Sequence, residues 1–281
     1  MEIIKTPEDM QRRALDLKMT GRAVGFVPTM GFLHEGHLSL MRLVRERCDV
    51  LVASIFVNPT QFGPNEDLEA YPRDFERDDT LCEREDVDIL FYPGAAGMYA
   101  DDASVWIDED ALSRLLCGAL RPGHFRGVCT VVAKLFNLVQ PDLAVFGEKD
   151  AQQLRIIERM VRDLNVPVKI IRGPIVREPD GLAMSSRNRY LSESQRKKAL
   201  CLWHALARTS ELFGQGERHT AVLRQAMVDV IKPVPGAEID YIEIVDDLSL
   251  ASVDEIQNDV LAALAVKVGN TRLIDNIVLR P

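Results

Sequence analysis

Apolar and polar positions along the chain fall into two successive regimes. From the N-terminus to about residue 176, short continuous apolar runs alternate with helical patterns. AVGFVP (23–28), VLVASIFVN (50–58), DILFYP (88–93), DLAVFG (142–147) and VPVKII (166–171) are rich in β-branched and aromatic residues and predict buried strands. Between them, stripes at helical spacing predict helices: Leu38, Leu40, Leu43 and Val44; Val131, Val132, Leu135, Leu138 and Val139; Leu154, Ile157, Met160 and Val161. Continuous apolar strands separated by helices predict a parallel sheet covered on both faces, a doubly wound α/β fold. VASIFV fits either a subunit edge or the core.

Past residue 176 the pattern changes. GPIVREPDGLAMSSRNRYLS (173–192) is polar and marked by glycine and proline. Ser192 with Gln195 three residues on predicts a capping box opening a helix over 193–213, and a second helix follows GQGERHT. IDYIEIVD (239–246), LAALAVKV (261–268) and TRLIDNIVL (271–279) predict three strands. The expected organisation is a Rossmann-like domain over 1–176 and a smaller α+β domain over 177–281. Ligands are expected between them, as clefts between domains favour.

Composition narrows the class. The 281 residues are 47% hydrophobic and 27% charged, an ordinary globular balance. No apolar run approaches the ~20 residues of a membrane helix, and MEIIKTPEDMQRR has no apolar signal region. The five cysteines have no C-x-x-C pair, and the nearest two are twelve apart; they predict free thiols in a cytoplasmic protein. A net charge of −9 argues against a broad nucleic-acid surface, so an anionic ligand needs a locally basic pocket.

Candidate chemistry centres on VPTMGFLHEGHLSLM (27–41). It holds two of the chain's five histidines, His34 and His37, after a strand and where a helix begins near Gly36 or His37. A strand-to-helix turn at the carboxyl end of a parallel sheet is a ligand position. A helix N-terminus with unpaired N–H groups favours phosphate, and Gly31 and Gly36 permit close backbone approach. Zinc fits poorly, because HEGH lacks the H-E-x-x-H spacing and a third ligand. Neither G-x-x-x-x-G-K-[ST] nor G-x-G-x-x-G is present. A separate capping or core role for each histidine explains either one better than the pair.

H-x-G-H after a first strand resembles the HIGH signature of class I aminoacyl-tRNA synthetases and nucleotidyltransferases, enzymes that bind ATP and attack its α-phosphate. AMSSRN (183–188) stands where their KMSKS element would, with Ala183 and Arg187 in place of the two lysines. PTMGFLHEGHLSL, SIFVNPTQFGPNEDLEAYPR, RPGHFRGVCTVVAKLFNLVQPD, FGEKDAQQL and DGLAMSSRNRYLS, in that order, together resemble the pantoate–beta-alanine ligase family. The resemblance runs from about residue 22 to 196, and TRLIDN fits as well.

The resemblance implies a two-step, ATP-dependent ligase. Pantoate's carboxylate attacks the α-phosphorus, pyrophosphate leaves, and the amine of beta-alanine then displaces AMP from the acyl carbon. It implies that Met30, Gly31, Phe32, Leu33, His34, Glu35, Gly36 and His37 line ATP, with His37 and His34 catalytic. Gly147, Glu148, Lys149 and Asp150 are implied beside the nucleotide, Val176 against adenine, and Met184, Ser185, Ser186 and Arg187 against the phosphates. Lys149, Ser185, Ser186 and Arg187 join the catalytic set. Gln61, Gln153, Asn58 and Arg121 are implied for pantoate and beta-alanine. His124 is a further candidate, and Arg126 is equally a surface arginine. Mg²⁺ is expected with ATP, held mostly by phosphates and water. Asp78 in RDFERDDTL is a candidate ligand, against the plainer reading of a solvated helix face. A homodimer is implied, with no nucleic-acid or membrane partner. Two other readings remain: a nucleotidyltransferase with a phosphorylated acceptor, and a non-catalytic nucleotide-binding module.

Overall fold

A computed structural model describes residues 1–64 and 66–281. The elements in chain order are β1 (Glu2–Ile4), α1 (Pro7–Met19), β2 (Val24–Thr29), α2 (Glu35–Arg45), β3 (Val50–Ile55), α3 (Phe75–Arg84), β4 (Ile89–Phe91), α4 (Ala95–Met98), α5 (Leu116–Leu120), α6 (His124–Val139), β5 (Leu143–Gly147), α7 (Ala151–Asp163), β6 (Lys169–Gly173), α8 (Glu193–Gly214), α9 (Thr220–Ile231), β7 (Ala237–Asp246), β8 (Val260–Val268) and β9 (Thr271–Leu279). The chain divides into two compact units. The first comprises 1–114, 118–148 and 152–174; the second comprises 115–117, 149–151 and 175–281.

The first unit is a six-stranded parallel sheet in the order β1-β4-β3-β2-β5-β6, the α/β fold expected. Successive residues of β5 show that both faces are covered. Val145 packs into the cluster that includes Leu40, Met41 and Val44 of α2, whereas Phe146 meets Phe136 of α6 edge-on, with ring centroids 6.3 Å apart. Glycine allows α2 to lie close: a Cβ on Gly173 would stand 2.0 Å from Leu40, and one on Gly25 2.7 Å from Val44. All six residues of β3 are buried between β2 and β4, which decides VASIFV in favour of core. Strand order reverses between β2 and β5. This is the switch point beyond whose carboxyl ends open α/β sheets bind ligands.

Three differences from the expected elements have local causes. β3 stops at Ile55, because Asn58-Pro59 turns the chain into a 3₁₀ turn over Pro59–Gln61. β6 starts at Lys169 rather than Val166, because Val166–Val168 close a tight turn through Val168 N–H to the Val166 carbonyl. β1, an edge strand of three residues, is too short to show a period.

The second unit is the α+β arrangement expected, an antiparallel β7-β8-β9 sheet carrying α8 and α9. The Ser192/Gln195 capping box opens α8. β8 is central and buried except at Lys267, and its apolar face packs with Leu202, Leu206, Leu223 and Met227.

Candidate active site

The β2–α2 turn is built around its two imidazoles. Thr29 ends β2 by donating its hydroxyl to the Ser54 carbonyl (2.8 Å) and accepting from Gly31 N–H (3.1 Å). Gly31 and Phe32 are then left-handed, with φ of 81° and 50°. Gly31 needs glycine twice over, since a Cβ would stand 2.9 Å from Ile55 Cγ2. His34 caps α2: its Nδ1 accepts from Gly36 N–H at 3.2 Å, while His37 Nδ1 accepts from His34 N–H at 3.3 Å. A ring nitrogen that accepts an amide N–H carries no proton, so both rings hold theirs on Nε2 and act there as neutral donors. The rings lie against each other with centroids 4.1 Å apart and planes tilted by 38°.

This changes the expectation for the helix N-terminus. The amides of Gly36 and His37 are already bonded inside the turn, His37 N–H reaching the His34 carbonyl at 2.7 Å. The backbone N–H groups at this end of α2 are therefore already used, and each ring turns its Nδ1 inward to the turn. Capping and chemistry are also not alternatives, since the two nitrogens of one ring serve both. Leu33 is buried, and the exposed carboxylate of Glu35 pairs with Arg42, which also bridges to Glu85 at 2.5 Å.

Asp78 corrects the sequence reading in two ways. It is 1% exposed rather than on a solvated face, and its oxygens accept from Phe32 N–H (2.6 Å) and Leu33 N–H (2.7 Å). A carboxylate so engaged is not placed as a Mg²⁺ ligand. Burial pushes its pKa above the ordinary carboxylate value, with the two amides working the other way.

A second cluster forms at the 3₁₀ turn after β3. Asn58 is 1% exposed and its amide is fully engaged. Its nitrogen donates to Gln61 Oε1 (3.2 Å) and the Gly127 carbonyl (3.1 Å); its oxygen accepts from the hydroxyls of Tyr99 (2.8 Å) and Thr60 (2.9 Å). The resemblance implies Asn58 as a substrate ligand beside Gln61, but the structure places its amide against protein. Gln61 is thereby oriented, with its oxygen on Asn58 and its nitrogen donating to Met30 Sδ at 3.0 Å. Gly127 lets α6 reach this turn, since a Cβ there would stand 2.3 Å from the Thr60 carbonyl.

Arg121 and His124 support the same turn. Arg121 forms an ion pair with Glu66 (Nε to Oε1 2.6 Å) and donates to His124 Nε2 (3.0 Å); His124 Nδ1 then donates to the Gln61 carbonyl (2.7 Å). Burial works against the Glu66 charge, but the Arg121 hydrogen bonds prevail and leave its carboxyl below the usual value. Arg126 is exposed and lies over the Trp106 ring at 4.9 Å. Gly147 and Glu148 follow at the carboxyl end of β5, and Gln153 is half-buried on α7.

In the second unit, Lys149 lies 3.8 Å from Asp150, and its carbonyl accepts from Asn276 Nδ2 at 3.0 Å. Asp275, beside it on β9, holds Arg177 through both oxygens (2.6 and 2.9 Å), and the Arg177 guanidinium lies 4.1 Å over the Trp203 ring. Arg177 pairs with Ala183, and the Val176 carbonyl accepts from Met184 N–H (3.0 Å); these bonds close the loop that leads to Ser185. Ser185 caps the 3₁₀ turn Ser186–Tyr190 by accepting from Arg187 N–H. Ser186 is buried; Met184 and Arg187 are half-buried. Arg177, Asp275 and Asn276 were missed as supports, although the polar pair inside the apolar run TRLIDNIVL was a visible signal. Tyr99 and Gly127 carried none.

A parallel sheet of this order, with paired imidazoles in the turn after the strand at its switch point, defines a nucleotide-handling enzyme of the HIGH-signature superfamily. The profile described as pantoate-beta-alanine ligase matches residues 2–278. The chain is 55% identical to the pantothenate synthetase of Thermotoga neapolitana, over 99% of this chain and 100% of that one. The crystal structure of the Thermus thermophilus pantothenate synthetase is 44% identical, covers all of both chains and superposes with a TM-score of 0.95. The Francisella tularensis pantoate-beta-alanine ligase, solved with β-γ ATP and beta-alanine, is 34% identical, covers 99% of this chain and 97% of its own, and has a TM-score of 0.82. The chain belongs to the pantoate-beta-alanine ligase family.

Proposed function

We propose a division of labour among these residues within the family's reaction, the ATP-dependent condensation of pantoate with beta-alanine to pantothenate, AMP and pyrophosphate. The observation that carries it is the pair of backbone N–H to Nδ1 hydrogen bonds that hold the rings of His34 and His37. Two preorganised neutral N–H donors, held by backbone amides, suit the charge that builds on phosphate oxygens as pantoate's carboxylate attacks the α-phosphorus. Neutral donors also leave the ring protons in place, so the histidines stabilise charge and do not transfer a proton.

Gln61, oriented by Asn58 and Met30, offers an amide to pantoate without adding charge, and Gln153 offers a second. Lys149, Ser185, Ser186 and Arg187 bind phosphate oxygens, Val176 contacts adenine and Asp150 accepts from ribose. In the second step the beta-alanine amine attacks the acyl carbon, the bond to AMP breaks, and a site closed to water protects the acyl phosphate from hydrolysis. Mg²⁺ accompanies ATP, bound by phosphates and water; among the described residues no group of three His, Cys, Asp or Glu is gathered to hold it.

The protein acts as a cytoplasmic homodimer in this reading. All five cysteines are thiols rather than disulfides, as a reducing compartment favours, and burial pushes Cys82 and Cys129 up to about 12, which keeps those two unreactive. Among the described residues no helix is long and apolar enough to cross a membrane. The test is exchange of labelled pyrophosphate into ATP. Exchange should require pantoate and proceed without beta-alanine; exchange independent of pantoate refutes the reading.

A further inference from the structure

We propose that Asp78 is a positioning residue for the adenylation step, setting the two imidazoles by holding the turn before them; this rests on the reaction assigned above. Three observations on one stretch of backbone lead to it. The Asp78 carboxylate is buried and gives one oxygen to each of two successive amides, Phe32 and Leu33, at 2.6 and 2.7 Å. Those amides immediately precede His34, and Gly31 and Phe32 are both left-handed, an uncommon state for a phenylalanine. Arg77 bridges the same parts, with Nη1 3.4 Å from Asp78 Oδ1 and its guanidinium 5.2 Å over the Phe32 ring.

The linkage from carboxylate to imidazole is short. Leu33 N–H fixes the peptide that delivers His34, and His34 N–H in turn fixes His37 Nδ1. A turn that relaxes at residues 32 and 33 shifts the His34 amide and loosens the hydrogen bond that keeps the His37 proton on Nε2. Only an ionised carboxylate satisfies two parallel N–H donors with separate oxygens and presents no proton of its own. Burial opposes its ionisation, so the charged form costs folding stability at neutral pH. Such a group suits a functional task better than a structural one, since local strain and stability losses concentrate where geometry serves chemistry.

The experiment compares the intact enzyme with D78N. Asparagine keeps the volume, offers one acceptor oxygen and turns an N–H₂ toward the other backbone N–H. Single-turnover formation of pantoyl adenylate should fall ~100-fold, the scale of a displacement near 1 Å in a reacting geometry. Attack of beta-alanine on supplied pantoyl adenylate should fall less than adenylation does, because its new bond forms at the acyl carbon while AMP departs with the electron pair, and no pentacoordinate phosphorus has to be held in line. Imidazole ¹⁵N spectra should show mixed His37 tautomers in D78N and one tautomer in the wild type. Adenylation within about twofold of wild type overturns the proposal, and so does an equal fall in both half-reactions, which is what a merely structural aspartate would produce. If D78N does not fold, hydrogen exchange on the wild type decides: amides of Phe32 and Leu33 that exchange as fast as exposed ones refute the carboxylate's grip. Absence of pantoate-dependent adenylation in the wild type would instead sink the assigned reaction, and the ¹⁵N spectra would still report on the turn.

Discussion

Asn58 and Gln61 can be separated by a double-mutant cycle, because the structure gives them different work. Asn58→Ala removes an amide with four close protein partners. The Tyr99 and Thr60 hydroxyls remain 3.3 Å apart and can bond to each other, and the Gly127 carbonyl lies within helix α6, so the cost is that of the side-chain hydrogen bonds lost with the amide. Net side-chain hydrogen bonds are worth about 1 kcal/mol each, so the loss is about 1–3 kcal/mol, and each kcal/mol lowers the melting temperature by about 2–4 °C. A fall of about 2–12 °C is expected by calorimetry. Gln61 then keeps only its contact to Met30 Sδ, and pantoate loses the equivalent of one neutral hydrogen bond, about 1 kcal/mol or roughly fivefold in affinity. Gln61→Ala loses that bond outright, about tenfold or less in a titration of single-turnover adenylation against pantoate. If Asn58 acts through Gln61, the double variant matches Gln61→Ala. Single-variant factors that multiply would show Asn58 to be an independent ligand and defeat the positioning argument.

His37→Ala should cut adenylation ~100-fold or more by removing a preorganised donor, and should cost about 1 kcal/mol of stability through the lost cap; an unaltered single-turnover rate removes His37 from the chemistry. Asn276→Ala frees the Lys149 carbonyl and should raise the ATP concentration for half-saturation about fivefold, the value of one hydrogen bond, while the pantoate titration stays put; equal effects on both substrates would contradict a local role. Glu66 has its folded pKa lowered by Arg121, so its contribution is present above the unfolded carboxylate value of about 4.3 and is lost as pH falls through the folded value. Urea midpoints of wild type and Glu66→Gln should converge on acidification; a constant gap from neutral pH down to about pH 3 would show that the ion pair does not titrate with stability.

Much of the architecture was legible because burial wrote it into composition. Strands covered on both faces must be apolar throughout, so β2, β3 and β5 stood out, whereas three-residue β1 at the edge had no period to display. The turn chemistry was half legible. H-x-G-H located the imidazoles, but that both Nδ1 atoms are capped by backbone depends on the left-handed Gly31–Phe32 step, which no spacing reveals. Asp78 sits among exposed charges and differs from them only in burial, a property of the folded chain. Arg121 reads as a cation for substrate; its pairing with Glu66, 55 residues away, is a contact that no spacing reveals.

The interleaving of the two units bears on how the protein is made. Residues 115–117 and 149–151 leave the ribosome long before the rest of the unit they complete. Cys117 is covered by Tyr241 and Arg272, and its partner tyrosine lies 124 residues downstream. At about 5–20 residues per second that delay is ~6–25 s. During each round of synthesis the thiol that ends up buried is open to oxidants and electrophiles, although the finished enzyme shields it. Labelling of nascent chains should mark Cys117, while the released protein should resist the same reagent.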